Sequence, residues 1–249
     1  MVQETRLIMG MPIVIQLPDA QATLADAEQV FSYFRDIDER FSTYKETSEI
    51  TRMNKKQIHP SEYSSEMREV FRLAELTKEE TQGYFNIRRP DGKIDPSGLV
   101  KGWAIQQAAE ILTRKGIMRY YIEAGGDIAL GGYNQDNRPW RIGIRNPFNE
   151  RENIKIVSVT NCGVATSGTS MRGQHIYDPF HADQALVDIV SLTVIGPNIY
   201  EADRFATAAF AMGRRGINFI ERMQGLEGYM VDATGQATET SGFSQLVLQ

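Results

Sequence analysis

Cysteine, histidine and long apolar runs are scarce in this 249-residue chain. Its one cysteine, Cys162, excludes an intrachain disulfide framework and a multi-cysteine zinc site. Three histidines, His59, His175 and His181, argue against a metal centre built from imidazoles alone. No segment approaches the roughly 18 apolar residues of a membrane span. The opening residues, Met1-Val2-Gln3-Glu4-Thr5-Arg6-Leu7, lack the basic stretch and apolar core of a secretion signal, so a cytoplasmic protein is expected. There is no Lys/Arg block, and the formal net charge is −5, which argues against a general nucleic-acid or anionic-membrane binder. No dinucleotide fingerprint opens a βα turn, and neither a Walker lysine motif nor a Gly-x-Ser-x-Gly elbow occurs. A dehydrogenase, an ATPase and an α/β-hydrolase would each lack their expected element.

What is present is 41% apolar and 24% charged sequence, long enough for a substantial core. Neither a tandem repeat nor a low-complexity linker interrupts it, so one domain over residues 1–249 is expected. Residues 7–17 read as strand around a Met9-Gly10-Met11-Pro12 break, which suggests a bulge or close backbone approach. Residues 19–40 carry Leu24, Ala27, Val30, Phe31, Phe34 and Ile37 at helical spacing. Ser48 can cap a short helix, and Ser64 or Ser65 a longer one running to about Thr81 and ended by Gly83. Tyr84 to Ile87 reads as a short apolar piece before an Arg88-Arg89-Pro90-Asp91-Gly92 turn. Strands follow over 118–123, 138–147, 154–160 and 187–194, with a Gly125-Gly126-Asp127 turn or bulge after the first. Residues 162–170 are rich in small side chains, which suits either room for a ligand or a turn between strands. His175 to Pro179 reads as a short strand entering a turn. Helical periods return from Glu201 and over 217–223, and a last strand covers 228–232. Helices and strands alternate with glycine-rich hairpins between them, so a mixed α+β architecture is expected over a doubly wound sheet.

The most informative stretch is Lys93-Ile94-Asp95-Pro96-Ser97-Gly98-Leu99-Val100-Lys101-Gly102-Trp103-Ala104. Proline costs nothing at an early helical position, and the free amides of a first turn suit an anionic group. Lys101 beside them could hold a phosphate, or simply lie in solvent behind a well-capped helix start. Asp203 and Thr207 stand four residues apart on a predicted helix and share a face. A carboxylate and a hydroxyl there could give oxygen ligands to a hard divalent ion, or be an end-of-helix acid and a hydroxyl bonded back to the backbone.

Taken in order, these stretches resemble the ApbE family of flavin transferases. The resemblance rests on Met9-Gly10, Phe41-Ser42-Thr43-Tyr44 with Ser48-Glu49-Ile50 and Asn54, Gly83-Tyr84-Phe85, Asp95 to Ala104, and Gly125-Gly126-Asp127. It continues through Trp140 to Ile144, Ala165-Thr166-Ser167-Gly168, His175-Ile176-Tyr177-Asp178-Pro179, and Ala202-Asp203 with Ala206-Thr207-Ala208 and Met212-Gly213. It implies an α+β fold of mixed or antiparallel sheets with packed helices. It also implies a reaction that cleaves FAD with Mg²⁺, releases AMP and joins FMN through a phosphoester to a Thr or Ser hydroxyl of a target flavoprotein. An FAD pyrophosphatase and a non-catalytic FAD-binding protein are the alternatives. By the same likeness Met9, Tyr44, Tyr84, Phe85, Asp95, Lys101 and Ile176 line the FAD site. The Gly98 carbonyl, Asp203 and Thr207 take the metal, while Lys101, His175 and Asp203 are the catalytic candidates. The chain departs from the common family pattern at Asn86, where an aspartate is usual, and in the short Arg88–Gly92 turn, where a longer Gly- and Trp-containing insert is usual. Asp-Pro-Ser-Gly also replaces the more usual acid-Leu-Gly-Ala, a change that a backbone ligand tolerates.

Overall fold

The computed structural model describes residues 1–169, 176–181 and 184–248. Its central feature is an eight-stranded sheet whose neighbouring strands are all antiparallel. The strands are β1 (Val2–Ile8), β2 (Met11–Leu17), β3 (Tyr120–Ala124), β4 (Asp127–Gly131), β7 (Cys162–Gly168), β8 (Ile189–Gly196), β9 (Glu227–Asp232) and β10 (Ala237–Glu239), lying side by side in that order. Between β4 and β7 the chain leaves the sheet to form a separate hairpin, β5 (Trp140–Asn146) with β6 (Asn149–Val159).

Strand alternation sorts side chains between two cores, because successive residues point to opposite faces. Ile13, Ile15, Leu17, Ile122, Ala129, Ala165, Leu192, Val194 and Met230 join the core under the helices. Their neighbours Ile128, Leu130, Val164, Ile195, Tyr229 and Val231 meet Trp140, Ile142, Ile144, Val157 and Phe243 on the hairpin side. The helical layer contains α1 (Leu24–Phe41), α2 (Glu49–Asn54), α3 (Ser65–Glu80), α4 (Ser97–Arg114), α5 (Ile199–Ala211) and α6 (Gly216–Glu221). The α+β expectation with antiparallel sheets and packed helices is borne out.

Local chemistry accounts for the element ends. Ser48 accepts from Thr51 N and Ser64 from Met67 N, so both act as the expected N-caps. The Met9-Gly10 break is a two-residue hairpin turn with φ of 57° and 71°, joining Ile8 to Met11. Gly125 and Gly126, at φ of 58° and 92°, make the matching turn between Ala124 and Asp127. Two consecutive positive φ values are what a tight hairpin of this hand needs.

The short apolar piece Tyr84 to Ile87 is a loop whose Phe85 N–H is taken by Thr81 Oγ1 at 3.0 Å. Two expectations change. The small-residue run is itself a central strand, β7, and its smallness serves helix packing: a Cβ on Gly163 would lie 2.2 Å from Ile199 N at the start of α5. Residues 176–179 have no strand pairing, and His175 lies outside the described residues. Asp178 orients the following turn, as Phe180 N and His181 Nδ1 reach its carboxylate at 2.9 and 3.0 Å.

Candidate active site

The segment before α4 is shaped by its own polar groups. Asn54 holds the Ile94 peptide at both ends, at 2.8 Å each, and Asp95 Oδ1 accepts from Ser97 N at 3.1 Å. Leu99 N and Val100 N both reach Pro96 O, so the helix begins at once after the proline. This leaves Gly98, Lys101 and Gly102 on the side of α4 that meets α5.

The two helices cross at unusually short range. A Cβ on Gly102 would lie 2.5 Å from Asp203 Cβ and 2.9 Å from the Ile199 carbonyl, well inside van der Waals contact. Glycine in a helix interior costs about 1 kcal/mol against alanine, and here it is what permits the approach. The Gly102 N–H, which in a regular helix is directed at the carbonyl four residues earlier, donates to Asp203 Oδ2 at 2.7 Å. That carbonyl, Gly98 O, accepts from the Thr207 hydroxyl at 3.3 Å.

Lys101 lies between two carboxylates. Its Nζ is 2.5 Å from Asp127 Oδ2 and 3.8 Å from Asp203 Oδ1. Asp127 is 0% exposed and Asp203 4%. Asp127 Oδ1 also accepts from Thr166 N at 3.2 Å, whereas Oδ2 meets the ammonium without a well-directed hydrogen bond. Burial pushes Asp203 well above the usual carboxylate range; Lys101 opposes that shift and the adjacent Asp127 adds to it. Two buried carboxyl groups share the Lys101 ammonium, and the other polar atoms at the crossing, Gly98 O and Thr207 Oγ1, are hard oxygens as well. Carbonyl, hydroxyl and carboxylate in this arrangement fit Mg²⁺, which takes oxygen donors and keeps several waters. Among the described residues no cluster of three or more His, Cys, Asp or Glu side chains forms a metal cage.

The other expected residues are distributed unevenly around this cluster. Phe85 is buried and backs Gly98, its Cε2 lying 3.5 Å from where a Cβ would be. Tyr84 is partly exposed; its hydroxyl accepts from Arg215 Nη2 at 2.7 Å and its ring meets Phe180 edge-on at 4.9 Å. Asp95 also faces Arg89 at 3.7 Å. Met9 is at the β1–β2 tip, and Met9 and Ile176 both pack partly buried against the helical core. Tyr44 stands 95% exposed on the loop after α1.

Asp127, Gly102 and Thr166 stand within the stretches that carry the family resemblance, but the sequence assigns none of them a role in the site; the structure brings Asp127, Gly102 and the Thr166 N–H into it. Of Thr166 itself only the backbone takes part, since alternation sends its side chain to the hairpin side, where it pairs with Thr193 Oγ1 at 2.8 Å. A glycine within the helical run after Lys101 was the signal available for the helix crossing.

Comparison with known proteins places this arrangement. The model of the ApbE family matches residues 9–89 and 87–230, its two stretches overlapping where the short Arg88–Gly92 turn begins. A Klebsiella pneumoniae protein named FAD:protein FMN transferase is 32% identical over 61% of this chain, but the match spans only 46% of that relative. A Haemophilus influenzae protein of the same name is 23% identical, with 87% of this chain and 81% of the relative covered. The structure of flavin transferase ApbE from Vibrio cholerae superposes with a TM-score of 0.84 at 25% identity, covering 98% of both chains. The ApbE protein from Thermotoga maritima shares the fold at a TM-score of 0.85 and 21% identity, over 100% of this chain and 99% of its own. Matched by the family model along most of its length, and folded as these structures are, the chain belongs to the ApbE family.

Proposed function

We propose that this protein is an Mg²⁺-dependent FAD:protein FMN transferase. The observation that carries the reading is the convergence, at the α4–α5 crossing, of Gly98 O, Thr207 Oγ1 and the Asp203 carboxylate beside the Lys101 ammonium. The names of the relatives supply the reaction class. In the balanced reaction a Thr or Ser hydroxyl of an acceptor flavoprotein attacks the FMN phosphorus. The bond from that phosphorus to the bridging oxygen breaks, AMP leaves with the oxygen, and the hydroxyl proton is released.

Gly98 O, Asp203 and Thr207 would hold the metal. Bound Mg²⁺ would supply charge neutralisation at the pyrophosphate and the leaving AMP. Lys101 provides a fixed positive charge at the same place, kept from solvent and aimed by Asp127. Its side chain is only 15% exposed, so the ammonium need not be ordered when substrate arrives. Tyr84 and the exposed Tyr44 offer aromatic faces for the flavin or adenine, with Met9 and Ile176 as apolar flanks and Asp95 as a polar contact. Phe85 is assigned to the wall behind Gly98. His175 is assigned to proton transfer or to a pyrophosphate contact.

Among the described residues no helix is long and apolar enough to cross a membrane. A cytoplasmic acceptor belongs to the same proposal and is checked by cell fractionation. The central test incubates the protein with FAD and Mg²⁺, with and without a flavoprotein domain bearing a candidate Thr or Ser. It is read by intact mass and nucleotide chromatography. An acceptor heavier by one FMN unit, with AMP released in equal amount, is expected. FMN and AMP without acceptor labelling would replace transfer by hydrolysis, and intact FAD across several acceptors would leave a binding protein.

A further inference from the structure

Arg204 follows Asp203 on α5 but does not face the metal residues. It is 6% exposed, and its guanidinium is used on several sides. Nε and Nη2 donate to Glu201 Oε2 at 3.0 and 2.6 Å, and Nη1 reaches Glu80 and, at 3.2 Å, the Thr77 hydroxyl. The plane also lies over the rings of Tyr200 and Phe205, at 5.0 and 4.0 Å. A cation this buried must be paired, and the pairing ties α5 to the last turn of α3.

Thr77, in the last turn of the strongly charged helix α3, and Thr81, its C-cap, are both fully buried. The Thr81 hydroxyl donates to Thr77 O at 2.7 Å and accepts the Phe85 N–H at 3.0 Å, across the turn made by Gly83 at φ +90°. Phe85 in turn packs on Gly98, whose carbonyl takes the Thr207 hydroxyl. Thr207 lies on the same helix as Arg204, so the contacts close into a ring: Arg204, Thr77, Thr81, Phe85, Gly98, Thr207. We infer that Arg204 is a positioning residue, acting through the buried Thr77–Thr81 pair to press Phe85 against α4 and so fix the Gly98 carbonyl opposite Thr207. This rests on the proposed role of Gly98 and Thr207 as metal-holding groups. It gives that site a supporting wall carried by α3, and couples the segment after α3 to the metal helix.

The test uses the full chain and three variants, Thr81→Val, Thr81→Ser and Arg204→Met. Peptide-level hydrogen exchange is read without ligand, and the Mg²⁺ concentration for half-maximal FMN transfer is read with FAD and acceptor. Thr81→Val removes the acceptor of the Phe85 N–H while keeping the side chain's volume, and Thr81→Ser retains the hydroxyl. One hydrogen bond of this kind is equivalent to about a tenfold change in an equilibrium. Thr81→Val and Arg204→Met should therefore speed exchange in the peptide containing Phe85 about tenfold, leave the β3–β4 peptides unchanged, and raise half-saturating Mg²⁺ about tenfold. Thr81→Ser should restore both readouts, which a general loss of stability would not do. Unchanged exchange around Phe85 in Thr81→Val overturns the inference whatever the activity, and so does faster exchange with unaltered Mg²⁺ dependence. If Arg204→Met does not fold, Arg204→Lys takes its place, which keeps the charge but loses the fork shared by Glu201, Glu80 and Thr77. Unchanged exchange around Phe85 in the folded Arg204 variant overturns the inference. A wild-type protein that neither transfers FMN nor responds to Mg²⁺ would instead sink the functional reading, and the inference with it; the silent wild type distinguishes that outcome.

Discussion

Gly102→Ala is the sharpest probe of the helix crossing. The added methyl carbon would lie 2.5 Å from Asp203 Cβ, 2.8 Å from Asp203 Oδ2 and 2.9 Å from Ile199 O. Carbon atoms sit about 3.5–4.0 Å apart at their optimum, so α4 and α5 must separate by about 1 Å or more. Overpacking of this sort costs about 1–3 kcal/mol. Stretching the Gly102 N–H bond to a buried carboxylate adds about 1.5–3 kcal/mol, and alanine's helix preference returns about 1 kcal/mol. The sum is a destabilisation of about 1.5–5 kcal/mol, a fall in Tm of roughly 3–20 °C for a chain of this size. Urea unfolding followed by circular dichroism measures the first figure and a thermal scan the second. Because the shift falls on Asp203, FMN transfer by the folded variant should drop more than about tenfold, since a displacement near 1 Å is enough to cost that much. A Gly102→Ala protein within about 0.5 kcal/mol of wild type and equally active would show that the crossing is neither tight nor tied to the reaction.

Three further outcomes follow from other contacts. Asp203→Asn should abolish acceptor labelling yet leave the ligand-free protein at least as stable as wild type in a thermal scan, because it removes a carboxyl whose charged form burial and Asp127 already disfavour while keeping an acceptor for Gly102 N; labelling at the wild-type rate would remove Asp203 from the metal site. Burial pushes the Cys162 thiol up to about 12, so at neutral pH iodoacetamide should modify the native protein at least about tenfold more slowly than the urea-unfolded chain, as mass spectrometry would show. Lys115, with the Thr23 hydroxyl and N–H, holds Asp26 down to about 2 from an ordinary 3.8. That stabilisation is present above pH 3.8 and lost as pH falls through 2. Asp26→Asn should thus cost about 1 kcal/mol at pH 7 and little at pH 2, measured by chemical denaturation at both.

Periodicity and capping residues located most helices and strands, because α1, α3 and the hairpin turns are governed by neighbours within a few positions. The small-residue run at 162–168 misled for a physical reason. Glycine and alanine look alike whether they make room for a ligand, a turn or a helix, and Ile199, which decides among these, lies far along the chain. The same limit applies to the site. Asp203 and Thr207 were legible as one face of a helix, and Gly98 and Lys101 as a helix start. What was not legible is that Lys101 meets Asp127 and that Gly102 lets Asp203 reach its backbone, since both depend on packing between distant segments. Arg204 gave no local sign of being buried, because an arginine three residues after a glutamate also suits an exposed helix face.

The bonds that define the candidate site join residues 101, 109 and 39 positions apart. Closing such long loops carries an entropic penalty that must be met before any of these contacts forms, and chains dominated by distant pairings fold slowly. No partly folded intermediate lacking either α5 or the β3–β4 hairpin can assemble the cluster. Ligand capture therefore waits on the docking of both segments, and a bound nucleotide with its cation would lower the population of every opening that parts α4 from α5, shielding those helices from proteolysis through one small site.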